Sequence, residues 1–240
     1  MKKKCSASAL KLLAIIAMTV DHTALMFVPQ ESLLYYLMRL FGRLTAPIMA
    51  FFIAEGFQYT RSRKKYLLRL AAFGLISQPF YVAMIFGKIP DSTLNLIGNW
   101  NVMVSLALAL FCLIVLESRL PETPRLILVA VLISLGHFAD WSLMIPVGSV
   151  IFYVFRNDFR KKAIIFAVAC VVLQTVIFAK SYDSFLMFTY QYGTLLALIP
   201  ISLYNGERGC VRHKNLQRWF FYVYYPAHML VLLVIREKLI

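Results

Sequence analysis

The chain has 240 residues, of which 61% are hydrophobic and 15% are charged. Soluble domains are about 45–50% apolar and about 25% charged, so this composition excludes an ordinary soluble domain and favours a membrane protein. Lys and Arg number 25 against 11 for Asp and Glu, a formal net charge of +14. Such an excess indicates either nucleic-acid binding or the cationic loops of a membrane protein, and the positions of the cations distinguish the two.

Apolar segments recur along the whole chain. A transmembrane helix needs about 20 mostly apolar residues, and Gly, Pro, Asn and Asp mark most breaks between the segments. We predict an all-α, polytopic integral membrane helix bundle in a single domain, residues 1–240. The short segments at 124–139 and 142–156 form either two spans or a re-entrant pair. In all, about nine transmembrane helices are expected: 9–29, 40–60, 66–87, 101–117, 124–139, 142–156, 163–180, 186–204 and 217–235.

The cations follow the topology of these spans. Cytoplasmic loops of membrane proteins carry an excess of Lys and Arg. With the N-terminus in the cytoplasm, most of the 25 cations fall on the cytoplasmic side: Lys2, Lys3, Lys4, Lys11, Arg61, Arg63, Lys64, Lys65, Arg69, Arg119, Arg125, Arg156, Arg160, Lys161, Lys162, Arg208, Arg212, Lys214 and Arg218. We therefore expect a multi-pass protein of a bacterial-type cytoplasmic membrane, in contact with lipid and not with nucleic acid.

A few ionisable residues lie inside the predicted spans. Such groups are costly in lipid, usually face the bundle interior, and are functional candidates. A structural polar network, such as Asp21 with Arg43, is the alternative interpretation. His137 and Asp140 fall in a predicted outer loop and need less explanation. The intramembrane candidates are Asp21, His22, Arg43, Glu55 and His228.

The first span places a basic residue and a histidine on one helix face. Lys11 and His22 are eleven residues apart, close to three full turns, with an axial separation of about 16 Å. This face suits a long ligand with an anionic head at Lys11 and a reactive end at His22, which is the shape of an acyl-coenzyme A; alternatively, Lys11 is a topology anchor. His22 is the best acid–base candidate. The histidine and cysteine spacings match no metal site, so we expect none.

The second span carries Arg39, Arg43 and Glu55. It also contains residues that let helices approach closely or kink, namely Gly42, Pro47 and Gly56. A guanidinium suits a carboxylate or a phosphate, so Arg43 is a candidate ligand-binding residue. Arg39 is interpreted as an interfacial anchor. Glu55 is either functional or a partner for Arg61 or Arg63 at the helix end.

The last span contains Tyr225, Pro226 and His228. Pro226 interrupts the helical hydrogen bonding, and polar groups near such a break can line a cavity. His228 either meets His22 or hydrogen-bonds a carbonyl that Pro226 leaves free, and Tyr225 is a supporting polar residue.

These segments resemble the TraX family of conjugal-transfer and pilin-acetylation proteins. The resemblance covers nearly the whole chain and comprises residues 10–22 (LKLLAIIAMTVDH), 42–47 (GRLTAP), 54–57 (AEGF), 140–142 (DWS), 206–209 (GERG) and 224–228 (YYPAH). TraX-like proteins look like members of a broader group of transmembrane acyltransferases that use an acyl-coenzyme A and an essential histidine in an early span. A basic residue precedes that histidine by eleven positions in several of them, as Lys11 precedes His22.

The resemblance implies an integral-membrane N- or O-acetyltransferase. Acetyl-CoA is then the donor, His22 is catalytic, and Lys11 and Arg43 bind the donor. In our own interpretation, His22 either acts as a general base or is transiently acylated. We expect Asp21 to be catalytic as well, because either Asp21 or Arg43 stabilises the charge that forms. The acceptor is an amine or a hydroxyl, on a pilin-like N-terminus or a cell-envelope glycan. Two rivals stay open, namely a small-solute transporter and a non-catalytic membrane assembly factor for conjugation.

Overall fold

The computed structural model describes residues 4–87, 98–178, 189–209 and 214–239. The predicted cytoplasmic cations Lys2, Lys3 and Arg212 lie outside these residues. So does the junction between the predicted spans 163–180 and 186–204.

The described chain is helical, which confirms the all-α prediction. Among these residues, β-type pairing is limited to two isolated bridges, Cys5 with Tyr204 and Trp100 with Ala139. Short 3-10 or π segments extend or join the helices at Gly136–Phe138, Gln174–Phe178 and Tyr190–Ala197. The α-helices are α1 (Ala7–Phe27), α2 (Leu33–Gly42), α3 (Thr45–Tyr59), α4 (Arg63–Phe86), α5 (Val102–Leu116), α6 (Glu122–Leu135), α7 (Met144–Val154), α8 (Phe159–Leu173), α9 (Leu198–Ser202) and α10 (Lys214–Leu239).

Four helical segments in the described chain are long and apolar enough to cross a membrane. They are Ala7–Phe27, Leu33–Tyr59, Arg63–Phe86 and Trp219–Leu239. Their length and apolar composition support a membrane protein. The α6 and α7 helices, at about 21 Å and about 17 Å, are shorter than the hydrocarbon core of about 30 Å. The total of nine crossings, the cytoplasmic N-terminus and the alternative of a re-entrant pair at 124–156 stay predictions.

The second predicted span differs from the observed helix at its start and in its middle. We predicted a span over 40–60, but the helix begins at Leu33, because the Ser32 hydroxyl caps it by accepting a hydrogen bond from Tyr35 N at 3.1 Å. A break at residues 43–44 then separates α2 from α3. Pro47 supplies the physical reason, because it has no N–H to donate to the carbonyl of Arg43 one turn earlier.

The α3 helix is the centre of the bundle and contacts α1, α5 and α7. It is apolar on nearly all sides, and ten of its 15 residues are buried. Aromatic side chains from neighbouring helices pack around it, including Phe51 against Phe152 with ring centroids 5.8 Å apart. This rigid central helix holds the residues at its start, where α2 meets it, in a defined position.

One end of the bundle is closed by the N-terminal segment. Cys5 N donates to Leu203 O at 2.9 Å, and Ala7 N donates to Glu207 O at 2.8 Å. The loop after α9 therefore satisfies backbone donors at the start of α1, which a helix cannot satisfy internally. We call this the N-terminal end of the bundle, and the other end, where α1 finishes, the far end.

Candidate functional site

Three charged side chains meet between α1 and α2, towards the far end of the bundle. Asp21 accepts a hydrogen bond from Arg39 Nη1 at 2.6 Å and from Arg43 Nη2 at 2.8 Å. Arg43 Nη2 also lies 2.9 Å from the second carboxylate oxygen. The predicted pairing of Asp21 with Arg43 is confirmed.

The interpretation of Arg39 as an interfacial anchor is wrong. Its side chain is only 12% exposed and is one of the two partners of Asp21. Arg39 and Arg43 are four residues apart on consecutive turns, so they project from the same face of α2. One carboxylate thus faces two guanidinium groups, and the carboxyl group of Asp140 also interacts electrostatically with both of them.

Gly42 allows α2 to approach α1 at this cluster. A Cβ atom at position 42 would overlap with the side chain of Asp21. The break that follows, before Pro47, turns the chain so that Arg43 points to Asp21 while α3 continues into the core. The sequence prediction that Gly42 and Pro47 serve close approach and kinking is consistent with both observations.

Contacts on several sides hold the Arg43 side chain in place. Arg43 Nη1 donates to Gln191 Oε1 at 3.2 Å. The guanidinium carbon lies 4.2 Å from the ring centroid of Trp141 and 5.5 Å from that of Tyr190. Gln191 and Tyr190 belong to the 3-10 segment Tyr190–Ala197, and nothing in the sequence marks them as partners of Arg43.

The two intramembrane histidines also meet. His22 Nδ1 lies 2.7 Å from His228 Nε2, and both side chains are buried. His228 Nδ1 donates to Tyr224 O at 2.9 Å. Of the two predicted alternatives, the contact with His22 is confirmed. The alternative was a hydrogen bond from His228 to a carbonyl that Pro226 leaves free. That carbonyl belongs to Tyr222, one turn before Pro226, whereas His228 bonds to the carbonyl of Tyr224.

A cavity of about 230 Å³ opens beside these groups. Its walls come from α1, α2, α4 and the loop before α7. A smaller cavity adjoins it and is lined by Tyr225 as well as by His22. Pockets for whole drug-sized ligands have about 300–1,000 Å³, so the larger cavity is smaller than the space that such a ligand occupies. Its polar lining residues are Asp21, His22, Arg39, Arg43, Tyr81, Asp140 and Trp141.

Asp140 is part of this site, contrary to its interpretation as an ordinary loop residue. Asp140 lines both cavities, and its Oδ1 accepts a hydrogen bond from Trp141 N at 3.0 Å. The hydroxyl of Tyr81 on α4 faces the same carboxylate. The ion pairs of the described residues include no cation bound to Asp140. Sequence reasoning missed its role, although the segment 140–142 was one of those that resemble the TraX family.

The backbone next to Asp140 is held in an unfavourable conformation. Trp141 and Ser142 have φ angles of 64° and 45°, in the left-handed region that residues other than glycine rarely occupy. Asp140 N donates to Trp100 O at 2.7 Å, and Ser105 Oγ donates to Asp140 O at 2.6 Å. Strained backbone of this kind clusters at functional sites, where surrounding contacts maintain it. Here it directs both Asp140 and the indole of Trp141 into the cavity.

Two predicted site residues lie elsewhere. The ammonium group of Lys11 sits over the rings of Phe52 and Phe221, at 5.0 and 5.5 Å from their centroids, near the N-terminal end. Lys11 does not line either cavity. Its role in holding a donor stays a prediction.

Glu55 also belongs to the N-terminal end of the bundle. It faces the hydroxyl of Tyr204 and interacts electrostatically with Lys162. The expected helix-end partner Arg63 packs over the ring of Phe57 instead, at 3.9 Å. Glu55 therefore lines neither cavity, and a functional role for it stays a prediction.

The comparisons with known proteins agree with the resemblance found in the sequence. A family model described as TraX protein matches residues 6–236. The chain is 35% identical over 233 residues to a probable fimbrial assembly protein, FimC of serogroup H1, from Dichelobacter nodosus. That alignment covers 95% of this chain and 94% of the relative. No solved structure matches the chain.

Proposed function

This chain belongs to the TraX family, and we propose that it is a pilus-related membrane acetyltransferase. In this proposal it moves an acetyl group from acetyl-CoA to an amine or hydroxyl acceptor, within a bacterial cytoplasmic membrane. The relative's description as a fimbrial assembly protein supports the connection with pili. Modification of a pilin-like N-terminal amine, or of an envelope glycan, is the expected use of the activity.

The observation that carries the proposal is the placement of His22 on the wall of a small polar cavity. An imidazole there is within reach of a bound acceptor and can take its proton. The cavity of about 230 Å³ has room for an acetyl group and the attacking group of an acceptor. The guanidinium groups of Arg39 and Arg43 favour the negative charge that develops on the carbonyl oxygen during acyl transfer.

The residues divide the reaction between them. His22 accepts the proton from the acceptor N–H or O–H as that atom attacks the thioester carbon. A carbon–nitrogen or carbon–oxygen bond forms, the carbon–sulfur bond breaks, and the proton passes to the departing thiolate. Asp21 positions both guanidinium groups and does not transfer protons itself. Asp140 orients the acceptor through its carboxyl group.

We assign Lys11 to the phosphate-bearing end of the donor, acetyl-CoA. It lies three turns before His22, about 16 Å along the helix, at the end of the bundle where Arg208 also lies close enough to interact with it electrostatically. A cationic environment suits the phosphates of coenzyme A. The donor thus extends from this end toward the cavity, with its thioester near His22.

A second candidate is a non-catalytic assembly factor, which the name of the relative favours. Such a factor needs the ion pairs for folding but neither His22 nor bound acetyl-CoA. A transporter is a weaker rival, because many transporters contain structural repeats and the sequence has none that is visible.

The test uses purified protein in lipid nanodiscs with radiolabelled acetyl-CoA. The acceptor probes are a synthetic peptide with a free N-terminal amine, the same peptide with that amine blocked, and an oligosaccharide that offers hydroxyl groups only. We expect label transfer by the wild type to one acceptor class, and a loss of at least about 10²-fold in His22→Asn. The matched control His137→Asn, at an exposed histidine, keeps the wild-type rate.

Folding is checked by size-exclusion chromatography and thermal unfolding of each variant. Transfer at the wild-type rate by His22→Asn contradicts the assignment of His22. If the wild type neither binds acetyl-CoA in a calorimetric titration nor labels any probe, the assembly-factor alternative is favoured.

A further inference from the structure

The contact between His22 and His228 has the geometry of a directed hydrogen bond. The two ring planes differ by only 10°, and the ring centroids are 5.0 Å apart. The bonded nitrogens are 2.7 Å apart, which is closer than the faces of stacked rings approach each other. The rings therefore lie edge to edge in nearly one plane, with the two nitrogens between them, as a short N–H···N hydrogen bond requires.

The partners of His228 determine which nitrogen carries each proton. The carbonyl oxygen of Tyr224 can only accept, so Nδ1 of His228 must carry a hydrogen. A neutral imidazole has a single N–H, so Nε2 of His228 is an acceptor. Nδ1 of His22 is then the donor in the pair, and Nε2 of His22 keeps its lone pair.

The environment of His228 maintains this arrangement. The ring of Tyr224 stacks on that of His228 with centroids 5.2 Å apart and planes 7° apart. Met229 next to it is fully buried. A separate hydrogen bond of 2.7 Å joins Thr19 Oγ1 on α1 to the hydroxyl of Tyr224 on α10. The last helix is therefore fixed against the first helix at the level of the histidine pair.

We infer that His228 is a positioning residue that fixes the tautomer of His22, so that Nε2 of His22 is the free base at the cavity. The inference rests on the proposed function for its catalytic consequence. Without a fixed tautomer, a histidine base spends part of its time with the reactive nitrogen already protonated. A group that orients a catalytic histidine through its other nitrogen is a recurrent requirement of acid–base sites.

The first experiment reads the tautomer directly and needs no acceptor. The protein is labelled with ¹⁵N-histidine, and the ring signals of His22 are identified by their loss in His22→Asn. In the wild type, we expect the shifts of a protonated Nδ1 and an unprotonated Nε2. In His228→Ala, we expect a mixture of tautomers, whereas His228→Gln retains the wild-type signals because its amide oxygen can accept from Nδ1.

The second experiment measures transfer by the same variants in nanodiscs, with radiolabelled acetyl-CoA and the acceptor that the wild type uses. His228→Ala is expected to lower kcat about 10²-fold and to leave KM for acetyl-CoA within about twofold, since the residue does not touch the donor. The kcat of His228→Gln should be at least about tenfold higher than that of His228→Ala. The control Ser149→Ala removes a buried hydrogen bond of 3.1 Å to Ala50 O between two other helices, and its kcat should match the wild type.

The outcomes separate this inference from the proposed function. An unchanged His22 tautomer in His228→Ala overturns the inference, whatever the activity. Equal loss of kcat in His228→Ala and His228→Gln also overturns it, because a purely structural role predicts no rescue. If His22→Asn is fully active, the proposed function fails, while the tautomer measurement still decides the role of His228 in positioning the ring.

Discussion

Gly42 controls the geometry of the charged cluster at the level of a single residue. It places the backbone of α2 directly against Asp21, and a side chain at this position has no space. Both guanidinium groups depend on that close approach, because they reach Asp21 from the same helix. The effect is one of shape, since glycine contributes no charge to the cluster.

We predict that Gly42→Ala destabilises the protein by about 1–3 kcal/mol, as overpacking of a buried contact does. The added methyl group displaces Asp21 from Arg39 and Arg43. Thermal unfolding in detergent, followed by circular dichroism, measures the change. The control is Gly98→Ala, because a Cβ at Gly98 meets nothing within 4 Å. A melting temperature for Gly42→Ala equal to that of the control would show that the cluster tolerates separation of the helices.

At the level of secondary structure, the break between α2 and α3 places Arg43 at the cavity. In a continuous helix from Leu33 to Tyr59, each residue would be turned about 100° from the residue before it. The side chain of Arg43 would then point in a different direction relative to α3. Pro47 prevents that continuity because its nitrogen cannot bond to the carbonyl of Arg43.

We therefore expect Pro47→Ala to impair transfer more than folding. Restoring the N–H allows the helix to straighten and moves Arg43 away from Asp21, so kcat should fall at least about tenfold. The matched control is Pro79→Ala, which changes a proline inside α4 that is exposed. Label transfer and the circular-dichroism spectrum are compared for both variants. Equal activity of Pro47→Ala and the wild type would mean that the tertiary contacts of Arg43 maintain its position without the proline.

At the level of the whole molecule, the loop after α1 lies at the far end of the bundle, and the loop after α3 lies at the N-terminal end. The excess of Lys and Arg near 61–69 predicts that the N-terminal end of the bundle is cytoplasmic. The donor would then reach Lys11 directly from the cytosol, and the far end, with Asp140 and Trp141, would face the opposite side of the membrane.

This orientation is tested by labelling single cysteines in spheroplasts with a membrane-impermeant maleimide. In a background whose native cysteines are replaced by alanine, Glu31→Cys should react in intact spheroplasts. Arg61→Cys should react only after the membrane is permeabilised. Both positions are exposed, so accessibility reports the side of the membrane. The reverse pattern would place the N-terminus outside and contradict the assignment of the cations.

Residues that the structure brings into the site were recognisable in the sequence when they carried a charge or an imidazole within an apolar helix. Asp21, His22, Arg43 and His228 stand out for this reason, because lipid makes an unpartnered polar group costly. Arg39 and Asp140 escaped recognition because each lies where an apolar segment ends. At such a position, a charged side chain can lie at low free-energy cost either at the membrane interface or in the bundle interior. The local sequence does not distinguish these two locations.

From the sequence we could predict the helical membrane architecture, the kink at Pro47 and the identity of most polar residues in the helices. These follow from composition, from the missing N–H of proline and from the regular spacing within one helix. The three-dimensional structure was needed to show that Asp21 binds two arginines, that Asp140 lines the cavity and that His22 bonds to His228, 206 positions away. Such pairings depend on how helices pack against one another, and helical periodicity constrains only the residues of a single helix.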